Sequence, residues 1–237
     1  MEPKIIFENN NYLVIDKPAG LLVHGAPHIK EATLVSWLLK KYPDIKDVGE
    51  DPARPGIVHR LDKDVSGLMV IPKNQATYEM LKEQFQTRTI KKEYTALVYG
   101  KIFKDEEEIN FPIKRSEQGY KMAAVPQNFS EQNDDKIRQA VTKITIIKRL
   151  INYTLLKVEI KTGRTHQIRV HLFAFGHPIV GDNLYSTKMT RIKNKKHNLG
   201  RVFLVSTKLE FDDQDGVRQS FQVGLPADLL TFLESAK

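Results

Sequence analysis

Two spacings of apolar residues alternate in the first third of the chain, and each predicts a different kind of element. The stretch KIIFENNNYLVIDKPAG has two apolar runs around an asparagine-rich turn, which predicts two short strands. In EATLVSWLLKKYP the apolar positions follow one helix face, and Pro43 supplies a stop. The run GLMVIPK is typical of a buried strand, and Asn74 is well placed to cap a following helix.

The rest of the chain is richer in strands. They are predicted in KKEYTALVYGKI, EEINFPI, YKMAAVP, AVTKITIIKRL, NYTLLKVEIK, RVFLVSTKLEF and VRQSFQV. Helical character appears in THQIRVHLFAFGHP, and a short helix is predicted after Pro226. The polar stretch QNFSEQNDDK predicts a solvated loop. Because strands and helices are grouped irregularly, we expect an α+β fold, in one domain that spans residues 1–237.

Composition narrows the classes of protein. The chain has 37 Lys+Arg against 29 Asp+Glu, a net charge of +8, which favours a polyanionic partner, nucleic acid above all, although anionic membrane surfaces attract a basic protein too. A merely basic soluble protein has the same composition. The absence of cysteine excludes disulfides and thiolate nucleophiles and is compatible with a reducing cytosol. No apolar run approaches the length of a membrane span or a signal peptide, so we expect a cytoplasmic protein without membrane partners.

The densest group of charges surrounds Asp62, in the run HRLDKD. Its sequence neighbours His59, Arg60 and Lys63 are potential cations, and a cation within ~4–6 Å lowers a carboxyl pKa by ~1–3 units. An aspartate held as an anion suits nucleophilic attack or proton abstraction. A surface ion pair contributing at most ~1 kcal/mol is the more common explanation of such a run. The residues alone leave both open.

Asp62 and Asp64 raise a rival hypothesis. In an extended strand their side chains lie on one face roughly 6.5 Å apart, which is admissible for the carboxylate pair of a glycoside hydrolase. No aromatic residue lies beside them to bind a sugar, and the neighbouring cations would keep both ionised. Because a general acid needs a raised pKa, we consider this hypothesis weak.

A second cluster, KTGRTHQIRVH, contains two arginines and two histidines. Arg169 and His166 lie three apart and share a helix face, where they can contact a phosphate or reach the carboxylate of the first cluster. Zinc is the alternative for the histidines, but the spacing of His166 and His171 is not the i, i+4 of helical ligands. We therefore predict no metal site.

Two further features have an ordinary structural explanation beside a functional one. Tyr94 lies in a strand, where a core tyrosine is usual, although a tyrosine at a pocket wall stacks on a base. The basic segment 188–197 has no apolar stripe, and we interpret it as a loop that contacts phosphate or is simply solvated. No glycine-rich phosphate loop or nucleophile elbow occurs, so a nucleotide cofactor is unsupported.

Four sequence motifs resemble those of the RluA-type pseudouridine synthases. RPGIVHRLDKDVSGLMVIPKN resembles the family signature, YLVIDKPAGLLVH its N-terminal segment, KKEYTALVYG its tyrosine motif and TGRTHQIRVHLFAFGHPIVGDNLY its third motif. The likeness extends over most of the chain. At Val65 the family usually has threonine; valine is nearly isosteric, so we expect it to be tolerated with the loss of a hydroxyl contact.

The resemblance implies a fold, a reaction and residue roles. The fold is a mixed, mainly antiparallel bent sheet with flanking helices and a central RNA-binding cleft, and the reaction converts uridine in RNA to pseudouridine without cofactor or metal. Asp62 matches the catalytic aspartate and Tyr94 the residue that stacks on the target base. Arg169 matches an arginine that pairs with the aspartate, and Arg60 one that helps displace the base from the stack. His59 is expected to be a structural support.

The implied partner is RNA, either ribosomal or transfer RNA. We expect no N-terminal S4-like domain, which many family members with ribosomal targets carry, and this expectation favours a stem-loop substrate. We expect a monomer. Two alternatives to the synthase remain: a non-catalytic RNA-binding protein on the same scaffold, which has no need of Asp62, Tyr94 and Arg169 together, and a glycoside-cleaving enzyme, which would release free uracil.

Overall fold

The computed structural model describes residues 1–25, 31–117, 119, 121–125 and 136–236. The chain divides into two compact units. The first, unit 1, comprises Met1–Lys92 and Ser206–Gly224, and the second, unit 2, comprises Glu93–Val205 and Leu225–Lys237. The predicted loop QNFSEQNDDK lies almost entirely outside the described residues.

Unit 1 contains five neighbouring strands and two helices. Its elements are β1 (Lys4–Glu8), β2 (Tyr12–Lys17), α1 (Leu34–Lys41), a 3-10 turn (Pro43–Asp47), β3 (Ser66–Pro72), α2 (Gln75–Thr87), most of β10 (Leu204–Asp212) and β11 (Arg218–Gln222). The strand order is β1-β2-β3-β10-β11, and β1–β2, β2–β3 and β10–β11 pair antiparallel.

The core of unit 1 lies between the sheet and α2, and it follows from alternation along the strands. Tyr12 and Val14 on β2, and Leu68 and Val70 on β3, point to one side and pack against Leu81 of α2. The side-chain oxygen of Asn74 accepts a hydrogen bond from the Thr77 backbone N–H at 2.9 Å, so the predicted helix cap is confirmed.

Gly67 fixes the approach of two strands in unit 1. Its φ is +116°, and a Cβ at this position would lie 2.3 Å from the Ser206 carbonyl oxygen and 2.5 Å from the Ser206 nitrogen. Both the backbone conformation and the close contact require glycine here.

Unit 2 combines four neighbouring antiparallel strands, a separate two-stranded pair and three helices. Its elements are most of β4 (Lys91–Tyr99), β5 (Glu106–Ile109), β6 (Ile113–Arg115), β7 (Met122–Ala124), β8 (Thr142–Arg149), β9 (Tyr153–Ile160), α3 (Gln167–Ala174), α4 (Lys188–His197) and α5 (Ala227–Ser235). The strand order is β4-β9-β8-β5, with β6 and β7 as a separate pair, and the pairings are antiparallel.

The predicted class, α+β with a mainly antiparallel sheet and flanking helices, is confirmed. The stretch EEINFPI is not one strand: β5 ends at Ile109 and β6 begins at Ile113, with Pro112, which cannot donate to a ladder, between them. The single-domain prediction for residues 1–237 stays a prediction. Within the described ranges no helix has both the length and the apolar character to span a membrane.

The segment 188–197 is helix α4, so the prediction of a loop was wrong. Thr187 accepts from the Thr190 N–H at 3.1 Å and the Thr190 hydroxyl accepts from the Thr187 N–H at 3.0 Å, which forms a capping box. Thr190 and Asn194, four residues apart, are the buried face of this helix. An apolar stripe is missing because both buried side chains are polar.

Candidate active site

Asp62 lies on the turn that leads into β3. Its carbonyl accepts from the Val65 N–H at 3.2 Å, and the half-buried Asp62 is followed by the exposed Lys63 and Asp64. β3 begins only at Ser66, so Asp62 and Asp64 are not on one strand and the premise of the paired-carboxylate hypothesis fails.

A buried lysine fixes this turn. Lys17, at the end of β2, is fully buried, and its ammonium donates to the carbonyls of Pro18 at 2.9 Å, Leu21 at 2.8 Å and Lys63 at 3.2 Å. The Lys63 carbonyl also accepts from the Gly20 N–H at 2.7 Å. A buried charge is costly unless its donors are satisfied, so these hydrogen bonds hold Lys17 in place. Lys17 in turn fixes the backbone of Lys63, the residue that follows Asp62.

The cations beside Asp62 in sequence have partners elsewhere in unit 1. Lys63 pairs with Glu31, Nζ to Oε2, at 2.7 Å. Arg60 is exposed and its Nη1 donates to Nε2 of His24 at 3.1 Å, while Nδ1 of His24 faces the Gly25 carbonyl at 3.2 Å. His24 thus orients the arginine that the resemblance assigns to base displacement.

His59 supports the strand rather than the chemistry. Its Nε2 accepts from the Val70 backbone N–H at 3.0 Å, and its ring stacks on Phe85 with centroids 4.7 Å apart. Burial, with a smaller contribution from the charge of Lys92, lowers the pKa of His59 to about 3. The imidazole is therefore neutral and packs between β3 and α2 of unit 1, which agrees with the support role expected for it.

Arg169 lies in α3 of unit 2 and is 5% exposed. Its Nε and Nη2 donate to Asp182, to Oδ2 at 2.7 Å and to Oδ1 at 3.0 Å. Asp182 is fully buried, and its Oδ1 also accepts from the N–H groups of Leu184 and Tyr185, both at 2.9 Å. The Tyr185 ring lies 5.3 Å from the guanidinium carbon. This bidentate, enclosed pair fixes the plane of the guanidinium.

The turn before α3 explains the motif TGRTHQIR. The Gln167 side chain accepts from the Thr162 hydroxyl at 2.7 Å and from the Arg164 N–H at 3.1 Å, and it donates to the Val141 carbonyl at 3.0 Å. His166 adopts a left-handed conformation, with φ of +54°, at the start of the helix. The helix therefore begins two residues later than predicted, and Arg169 is carried on its first turn.

The histidines of the second cluster have protein partners. Nδ1 of His166 lies 2.9 Å from the Tyr185 hydroxyl, and the fully buried His171 contacts the Thr142 hydroxyl at 2.9 Å and the Phe111 carbonyl at 2.8 Å. Burial lowers the pKa of His171. Among the residues that the structure describes, no three His, Asp or Glu side chains are grouped as a metal site would need.

Tyr94 is 6% exposed and lies in β4 opposite Val158 of β9. Ala96 and Val98, on the same face, are also buried. The core location matches the ordinary interpretation, and a stacking role for this tyrosine stays a prediction. Of the predicted site residues, Arg60 and Asp62 belong to unit 1, and Tyr94 and Arg169 to unit 2.

Sequence reasoning missed the residues that hold the site in place. Lys17, His24 and Asp182 each lie within a quoted motif, yet none was singled out. The available signal was weak: a lysine amid apolar strand residues at 17, and an aspartate between apolar residues and a tyrosine at 182. Nothing in the sequence indicated that Asn194 is buried, because its neighbours in the sequence are lysines.

Residues 11–174 match the family of RNA pseudouridylate synthases. This chain belongs to that family. It is 43% identical over 190 residues to an RNA pseudouridine synthase of Aquifex aeolicus, covering 79% of this chain and 57% of that protein. It is 37% identical over 242 residues to ribosomal large subunit pseudouridine synthase D of Pseudomonas aeruginosa, covering 98% of this chain and 71% of that one. The RluA-type resemblance is thus confirmed.

A solved structure shows the same fold. Human RNA pseudouridylate synthase domain containing 4 superposes with a TM-score of 0.73 at 25% identity, covering 98% of this chain and 92% of that one. The chain spans only 57% of the length of the Aquifex relative.

Proposed function

We propose that this chain is an RNA pseudouridine synthase that isomerises uridine in ribosomal or transfer RNA, with Asp62 as the catalytic aspartate. The family match over residues 11–174 includes the run that carries Asp62. The strongest structural support for the proposal is the turn that contains Asp62. The buried Lys17 donates to three carbonyls, including that of Lys63, and so fixes the backbone next to Asp62. A half-buried carboxylate on so rigid a turn suits attack at a defined atom.

The reaction breaks the bond between N1 and C1′, rotates the uracil and joins C5 to C1′. C5 loses a proton and N1 gains one, so atoms and electrons balance without an external oxidant or reductant. The Asp62 side chain is suited to attack C1′ or the ring, or to take a proton from C2′. Because the base is stacked within RNA, it must be flipped out at a cost of a few kcal/mol.

The other residues have binding roles in the proposal. Arg169, whose guanidinium is oriented by Asp182, has the role that the family resemblance implies for it, and Tyr94 stacks on the flipped base, a contact worth ~1–3 kcal/mol. Arg60, oriented by His24, helps displace the base from the stack. The name of the Pseudomonas aeruginosa relative favours large-subunit ribosomal RNA as the first substrate to test. A cytoplasmic monomer remains our expectation.

The test uses RNA labelled with tritium at C5 of uridine. We expect the wild-type protein to release tritium and Asp62→Asn to release none while its circular dichroism and its affinity for the RNA are unchanged. Release by Asp62→Asn at the wild-type rate would contradict the role of Asp62. Chromatography of the same reactions distinguishes the alternatives: free uracil indicates a glycoside-cleaving enzyme, and RNA binding without any product indicates a non-catalytic protein.

A further inference from the structure

Helix α4 has the highest concentration of positive charge in unit 2, and it carries no acidic residue. Five of its ten residues are cations: Lys188, Arg191, Lys193, Lys195 and Lys196. The net charge of the whole chain is +8, so this one helix carries more positive charge than half of that excess. Such a concentration is destabilising to an isolated helix because like charges three and four residues apart repel.

The cations of α4 differ from three lysines elsewhere in unit 2. Lys104, Lys143 and Lys161, in or beside strands, pair with Glu107, Glu106 and Glu108 at 2.7, 3.0 and 2.9 Å. Within the described part of the chain, no cation of α4 makes an ion pair. The charge of those three lysines is neutralised inside unit 2, whereas the charge of α4 is left for a partner.

The outward face of α4 is defined by what its other face buries. Thr190 and Asn194 point inward, and His197 is half-buried. With 3.6 residues per turn, the opposite face presents Lys188, Lys195 and Lys196 around Ile192, which is 58% exposed. Of the remaining cations, Lys193 lies over the Tyr99 ring at 5.6 Å, and Nε of Arg191 reaches the Ser186 hydroxyl at 3.4 Å.

The helix is anchored to the residues that orient Arg169. The Asn194 side-chain oxygen accepts from the Tyr99 hydroxyl at 2.7 Å and from the Gly181 N–H at 2.9 Å, and its amide donates to the Asp182 carbonyl at 3.0 Å. Contacts to phosphate position a nucleic acid rather than specify it. A cationic helix bonded to the backbone of Asp182 holds such contacts in fixed register with the Asp182–Arg169 pair.

We propose that the outward face of α4, formed by Lys188, Lys195 and Lys196, binds the phosphate backbone of the RNA substrate. The inference deepens the proposed function and rests on it for the identity of the substrate. RNA is favoured over an anionic membrane because the exposed apolar residues of the helix, Met189 and Ile192, are too few for the broad apolar face of a membrane-surface helix.

The test replaces the three lysines together, as Lys188→Gln, Lys195→Gln and Lys196→Gln. Glutamine has a helix propensity close to that of lysine, so α4 is expected to remain folded. The matched control is Lys104→Gln, Lys143→Gln and Lys161→Gln, which removes the same net charge from unit 2 but takes it from exposed ion pairs worth at most ~1 kcal/mol each.

The probe is a fluorescein-labelled RNA hairpin with a loop of seven uridines, titrated by anisotropy at several salt concentrations. Each phosphate contact contributes about 0.7–0.9 to the slope of log K against log salt. We expect the α4 variant to lose about 2–3 of that slope and to bind ten- to a hundredfold more weakly at ~0.1 M salt. The control variant is expected to match the wild type. An unchanged slope and affinity in the α4 variant, or an equal loss in the control, would overturn the inference.

Two further measurements separate the inference from the proposed function. Vesicles with and without anionic lipid test the membrane alternative. Binding of the protein to anionic vesicles through the α4 lysines, without binding to the hairpin, would contradict the RNA-binding role of α4. Tritium release from C5-labelled RNA is measured in parallel on the wild type. If hairpin binding depends on the α4 lysines but no tritium is released, the RNA-binding role of α4 is supported and the synthase activity is contradicted. If tritium is released but hairpin binding does not depend on the α4 lysines, the synthase activity is supported and the role of α4 is contradicted.

Discussion

The pair of Arg169 and Asp182 makes a strong prediction about stability. Asp182 is fully buried and accepts four hydrogen bonds, two from the Arg169 guanidinium and two from backbone N–H groups. In Asp182→Asn, the amide oxygen can replace Oδ1, but the amide NH₂ then faces the Arg169 Nε–H, donor against donor. Breaking a buried pair by removing one charge costs about 3–5 kcal/mol, and we expect a loss of that size.

The measurement is urea unfolding followed by circular dichroism, with amide hydrogen exchange at Leu184 and Tyr185 as a local probe. The matched control is Asp228→Asn, the same substitution in the same unit. Asp228 is half exposed and its oxygen lies 3.7 Å from Arg201, so its loss is expected to cost less than about 1 kcal/mol. Equal effects of the two substitutions, or a loss below about 1 kcal/mol for Asp182→Asn, would refute the reasoning.

Three further perturbations of unit 1 have measurable outcomes. Lys17→Met removes the ammonium donor from three carbonyls, of which that of Lys63 keeps the Gly20 N–H; we expect a loss of about 2–5 kcal/mol in urea unfolding and a fall in tritium release larger than unfolding explains, and a fully active variant contradicts this. Gly67→Ala is expected to cost about 2–5 kcal/mol and Gly224→Ala, which meets nothing within 4 Å, almost nothing. His59 has a folded pKa of about 3, below its unfolded value, so its contribution is complete above pH ~6.5 and is lost as pH falls toward 3. Between pH 7.5 and 5.0 we expect wild type to lose about 2 kcal/mol more than His59→Gln; identical pH profiles refute this.

Most of the strand and helix pattern could be predicted because it depends on local signals. The apolar run of β2, the alternation in β4, the cap at Asn74 and the stop at Pro43 each involve residues close in sequence. The error at 188–197 has the same origin. The loop was predicted from the absence of an apolar stripe, and the capping pair of Thr187 and Thr190 was not recognised. Only tertiary contacts show that Asn194 is the buried anchor.

The candidate site was less predictable because its supports are distant in the chain. Sequence proximity placed Arg60 and Lys63 as partners of Asp62, yet their contacts are with His24 and Glu31. Lys17 reaches the carbonyl of Lys63 from 46 residues away. No periodicity encodes such contacts. The roles of Asp62, Tyr94 and Arg169 came from the family resemblance, whereas the structure adds the residues that fix the backbone beside Asp62 and the guanidinium of Arg169.

The central claim is tested most directly by mapping pseudouridine in cellular RNA. Carbodiimide-stop sequencing compares total RNA from cells with the gene, without it, and complemented with either wild type or Asp62→Asn. We predict that a site or a small set of sites is lost without the gene, restored by wild type and not restored by Asp62→Asn expressed at the same level. Restoration by Asp62→Asn, or an unchanged pseudouridine map in cells that normally express the protein, would contradict the account.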